Sequence, residues 1–100
     1  MPSLETAIMT HAGLAMDAFA LDAATVGGDL EEARYLARSL AVVAAGAGLS
    51  GIAEAAKSLA VALGSKGATR VGVLDHQLVL LANALDDADP RRAVSTHVSP

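Results

Sequence analysis

The chain has 100 residues, a single-domain length, and 53% of them are apolar, enough for one compact core. With no cysteine, disulfides and cysteine-ligated zinc or iron–sulfur sites are excluded, and one Phe with one Tyr makes no platform for stacked bases. A net charge of −4 disfavours a nucleic-acid backbone as partner, because that affinity comes from clustered Lys and Arg.

The apolar residues are mostly Ala, Leu and Val, a mixture with high helix propensity. The first helix begins near Ser3, a good N-cap, and runs to about Val26. Leu4, Ile8, Ala12, Ala15 and Phe19 recur at three and four residues and give an expected inward stripe. Gly27 and Gly28 end it. The second helix starts at Asp29, where Asp29-Leu30-Glu31-Glu32 reads as a capping box with Glu32 reaching back to the cap. Its expected inward stripe is Ala33, Leu36, Leu40, Val43 and Ala47, and Gly46 and Gly48 break it. Ser50 is the expected cap of the third helix, with Ile52, Ala55, Ala56, Leu59 and Leu63 facing inward, and Gly64 and Gly67 bracket the next corner. The fourth helix has the clearest period, Val71, Leu74, Leu78, Leu81 and Leu85, and ends by Asp89 ahead of Pro90.

Short corners between helices of this length imply antiparallel neighbours, so the expected fold is an all-α, up-down-up-down four-helix bundle over residues 1–89. Residues 90–100 lack periodicity and read as a flexible C-terminal tail. The longest charge-free run, Ser39 to Ala53, is too short for a membrane span and contains three glycines. The N-terminus has no basic stretch leading into an apolar block. A cytoplasmic protein without membrane or nucleic-acid partners is the expectation.

The segment Ala33 to Leu59 carries a more specific signal. Arg38 is followed by Leu40 at two residues, Gly48 at ten, Ile52 at fourteen and Leu59 at twenty-one. This spacing resembles the core of a histidine phosphotransfer (HPt) domain, whose helix carries His-x-Leu-Lys-Gly with a terminal glycine ten residues after the histidine. The likeness covers residues 30–63. Arg38 stands at the acceptor histidine, Ala41 at the lysine and Val42 at the glycine, so the scaffold positions match and the chemistry positions do not.

The resemblance implies a non-enzymatic component of bacterial-type two-component phosphorelay. Such a chain would bind a response-regulator receiver domain, or a hybrid kinase, without carrying phosphate. It places the partner-binding face on Arg34, Arg38, Ala41, Val42 and Ala45. A guanidinium stays protonated and is no nucleophile, but it pairs well with carboxylate or phosphate. The alternative for Arg34 and Arg38 is a solvated helix face paired at i,i+3 spacing with Glu31 and Glu32. A second reading of the whole chain is a helical self-association or scaffold module, a homodimer through the Ala/Val face of Ala41, Val42 and Ala45 that would compensate for an alanine-rich core.

His11, His76 and His97 do not follow the HPt motif. His76-Gln77-Leu78 matches its first three positions but continues Val79-Leu80 where Lys-Gly belongs. Each reads as an ordinary surface or half-buried histidine, and none sits at a metal-ligand spacing. No metal or cofactor is expected. Gly46-x-Gly48-x-x-Gly51 matches a dinucleotide fingerprint but follows a helix instead of a strand. Asp86, Asp87 and Asp89 read as a solvated acidic helix end.

Overall fold

The computed structural model describes residues 3–64 and 71–91. It forms four α-helices: α1 (Leu4–Val26), α2 (Leu30–Gly46), α3 (Ser50–Gly64) and α4 (Val71–Asp87). Each packs on its neighbours in sequence, and α4 closes back on α1, giving the antiparallel up-down-up-down bundle. The expected corner at Gly67 lies outside the described residues.

Local chemistry sets the boundaries. The Ser3 hydroxyl accepts from Thr6 N at 3.1 Å and caps α1. Both α1 and α2 end in the same way. Asp29 N donates to Ala24 O at 2.9 Å and Gly28 N to Thr25 O at 3.2 Å; Leu49 N donates to Ala44 O at 2.9 Å and Gly48 N to Ala45 O at 3.1 Å. This paired closure needs a left-handed residue, supplied by Gly28 (φ +82°) and Gly48 (φ +77°). Gly46, by contrast, is the last residue of α2 and has no special conformation.

Two capping expectations are corrected. Asp29 Oδ1 does accept from Glu32 N at 3.1 Å, but the Asp29 N–H that Glu32 would reach is spent on the α1 closure, so only half the capping box forms. Ser50 is the first residue of α3 and not its cap, because Ala53 N already donates to Leu49 O at 3.0 Å. Beyond α4, Asp89 is non-helical, and Pro90 and Arg91 start another helical turn. Asp89 caps it, accepting from Arg91 N at 2.9 Å and from the guanidinium at 3.1 and 3.2 Å. Proline suits a first helical position, where no N–H is needed.

The core is Leu14, Ala18 and Leu21 from α1; Ala33, Ala37, Leu40 and Ala44 from α2; Ile52, Ala56, Leu59 and Leu63 from α3; and Leu74, Leu81 and Leu85 from α4. The stripes expected for α3 and α4 hold, with Ala55 and Leu78 half-buried and the Val71 side chain outside the described residues. The other two stripes are rotated. In α1 the buried line is His11, Leu14, Ala18 and Leu21, whereas Ala12 and Ala15 are exposed and Phe19 keeps 76% of its surface. In α2, Ala37 and Ala44 join Ala33 and Leu40 in the buried line, Leu36 packs half-buried against the core, and Val43 and Ala47 are exposed. Both helices are apolar on more than one side, so several stripes fit the helical period and packing selects among them. For α2 it selects the smallest side chains, which let its axis approach α3 closely.

Packing is uneven around the bundle. The α2–α3 hairpin is the tightest pair, and the α1–α4 seam is the loosest. That seam leaves a groove of about 240 Å³ between Ala15, Ala18, Phe19 and Asp22 of α1 and Leu78, Leu81, Ala82 and Leu85 of α4. A buried polar link crosses it. Buried His11 places Nε2 2.6 Å from Leu85 O, and with Nε2 carrying the proton it donates to that carbonyl. Leu85 is among the last four residues of α4, whose carbonyls lack a continuing helix to bond them. His11 is thus a structural tether.

Candidate functional site

The α2–α3 hairpin presents the site. α2 turns Arg34 and Arg38 along its edge toward α3, one helical turn apart. α3 runs back antiparallel from the Gly48 corner, so residues equally far from that corner stand at similar heights. Arg38 lies ten residues before Gly48 and Lys57 nine after it. The outcome is one open groove of about 370 Å³, lined by Arg34 and Arg38 from α2 and by Lys57, Ala60, Val61 and Gly64 from α3.

The cations differ in setting. Arg38 and Lys57 are exposed, while Arg34 is half-buried. The Arg34 side chain lies across the end of α3: a Cβ built on Gly64 would stand 3.6 Å from its Cδ and 3.8 Å from Nη1. A cation there complements the negative end of the α3 dipole. No carboxylate among the described residues comes within ion-pair distance of Arg34, Arg38 or Lys57, so the alternative of pairing with Glu31 and Glu32 does not form. Three positive charges therefore line one groove.

The remaining face residues do not line the groove. Val42 and Ala45 are exposed and Ala41 is half-buried; they continue the same edge of α2 toward the Gly48 corner. With Val42 at 72% exposure and Val61 at 68%, apolar surface flanks the cations on both helices. Sequence reasoning missed Lys57, Ala60 and Val61. The signal was present, since Lys57 is the only cation of α3 and its distance from the corner mirrors that of Arg38.

The histidines lie elsewhere. His11 is buried against α4, His76 is exposed on α4, and His97 is outside the described residues. Among the described residues no three His, Cys, Asp or Glu side chains come together as metal ligands, and no helix is long and apolar enough to cross a membrane. Chemically, the groove can bind an anion or a carboxylate-lined surface through charge-assisted hydrogen bonds, with valines to either side. No family model matches the sequence, and no curated protein or solved structure matches it either.

Proposed function

We propose that this chain is a non-catalytic phosphorelay adaptor, an HPt-like bundle that docks a receiver domain on the α2–α3 face and does not accept its phosphoryl group. One observation carries the reading: Arg38, at the register position of the HPt histidine, converges with Arg34 and Lys57 on an exposed groove in which no described carboxylate neutralises them. A receiver's phosphorylation site is a cluster of carboxylates, the complement of such a groove. Arg38 would enter that pocket as a permanent cation, pairing with the aspartate or its phosphorylated form, and Val42 and Val61 would supply apolar contact around the charged centre. The adaptor would act in the cytoplasm, by occupying receivers or a hybrid kinase and altering phosphoryl flow.

The test is an amide-shift NMR titration with receiver domains, with and without a phosphodonor. Shifts grouped on Arg34, Arg38, Lys57 and Val61, lost in Arg38→Ala with a drop in affinity of about tenfold or more, are the expected outcome. Absence of shifts with every receiver from the same cell overturns the proposal. The combined variant Arg38→His, Ala41→Lys, Val42→Gly should rebuild an acceptor, and its failure to take up phosphate from a phosphorylated receiver that binds it argues against the HPt register.

A further inference from the structure

The outward side of α1 is left uncovered by the bundle, with Phe19 also at the rim of the α1–α4 groove. Met9, Ala12, Gly13, Met16, Phe19, Ala20 and Ala23 are all exposed, and they occupy one continuous sector of about 120° of the helix. Met9, Met16 and Phe19 keep 68%, 73% and 76% of their surface. No charged side chain interrupts the sector from Met9 to Ala23, because Asp17 and Asp22 lie on its flanks. We infer that this face is the seam of a symmetric homodimer, two α1 helices packed antiparallel about a two-fold axis at Met16.

Three observations single out a second copy as the occupant. The first is self-complementarity. Two-fold packing at Met16 sets each residue beside one on the same flank of the helix that lies, to within one residue, equally far on the other side of Met16. Phe19 then covers the second copy's Ala12, Met9 faces its Ala23, Ala20 approaches its Gly13, and the two flexible Met16 side chains meet on the axis. Large side chains thus fall on small ones, and the absence of charge leaves no like-charge contact across the axis.

The second is Gly13. A glycine in mid-helix is destabilising relative to alanine, and here the fold gives no reason for it: its φ is not positive, and a Cβ built on it would meet nothing within 4 Å. Close approach of another backbone is a reason that lies outside the single chain. The third is area. With one aromatic side chain amounting to ~150–250 Å², Met9, Met16 and Phe19 together with the exposed Ala12, Ala20 and Ala23 present on the order of 500 Å² per copy. Complete burial of this surface in two copies amounts to about 1,000 Å², the lower bound for a specific interface. The seam leaves the α2–α3 groove open, so a dimer would present that groove twice.

Sedimentation equilibrium of the full chain across micromolar concentrations tests the inference, and no receiver is required, so its failure and that of the adaptor reading are separable. The wild type should dimerise. Gly13→Gln, which has room in the monomer and raises helix propensity, should weaken the dimer by about tenfold or more with helical content kept or increased. Met16→Cys introduces the only thiol of the chain and should be joined across the axis by a short bismaleimide. A wild type that stays monomeric, a Gly13→Gln dimer of unchanged affinity, or a Met16→Cys chain that dimerises without cross-linking would each overturn the seam.

Discussion

The α2–α3 pair and the α1–α4 pair solve the same packing problem differently. α2 offers alanines to the Ile and Leu side chains of α3, so the pair packs closely on its buried side and opens only at its edge, in the cation-lined groove. α1 and α4 meet through leucines and one histidine, remain apart, and leave a groove with Phe19 at its rim. The tight pair is a fixed platform for a charged face. The loose pair exposes apolar surface and is joined by the buried His11–Leu85 tether. Close packing and loosely packed apolar surface are thereby divided between two halves of one small bundle.

The contrast can be broken first in its tight half. Leu40→Ala or Leu59→Ala, each removing a fully buried side chain from α2–α3, should cost about 2–5 kcal/mol in denaturant unfolding, enough to threaten the fold of a 100-residue chain. His11→Ala strikes the loose half. It removes the tether and leaves the Leu85 carbonyl unpaired, at a cost of about 1–3 kcal/mol. Hydrogen exchange should then accelerate in α1 and α4 before α2 and α3; uniform acceleration would show that the two halves open as one. Gly48→Ala places a Cβ on a left-handed residue at the corner between α2 and α3, and should cost about 1–2 kcal/mol. Because that corner sets the height of Lys57 against Arg38, receiver affinity should fall with it.

Smaller effects sharpen the picture. Partial burial in the α1–α4 groove raises the pKa of Asp22 above its ordinary value. A carboxyl raised on folding is less favourable in its charged form within the fold, so Asp22→Asn should stabilise slightly at neutral pH. That gain should shrink as pH falls through the raised value toward the unfolded one, when the native carboxyl also becomes neutral. Thermal melts of both proteins at several pH values check the sign. The smallest effect is expected for Arg38→Ala, within about 0.5 kcal/mol in stability, since the side chain is exposed and pairs with no described carboxylate. A large loss there would make Arg38 structural and remove the basis of the docking face.

What the sequence determined by itself is the part written in contacts a few residues long. Ser3 and Asp29 as caps, Gly28 and Gly48 as left-handed closures, Pro90 after the last helix, and the leucine period of α4 each act within about one turn, so the helices and their order were legible. Arg38 was legible as an exposed cation through its spacing to Leu40 and Gly48. The tertiary structure decided the rotation of each helix about its axis wherever apolar residues surround it. α1 turned His11 inward and Phe19 outward, and α2 buried Ala37 and Ala44 while leaving Leu36 half-buried and Val43 exposed. It also decided the meetings across the chain, Lys57 with Arg38 and His11 with Leu85. Their residues stand 19 and 74 positions apart in sequence, and their distances depend on how whole helices pack. A periodic pattern specifies that a helix forms, but which of several apolar faces it buries is set by the neighbour that fills the space beside it.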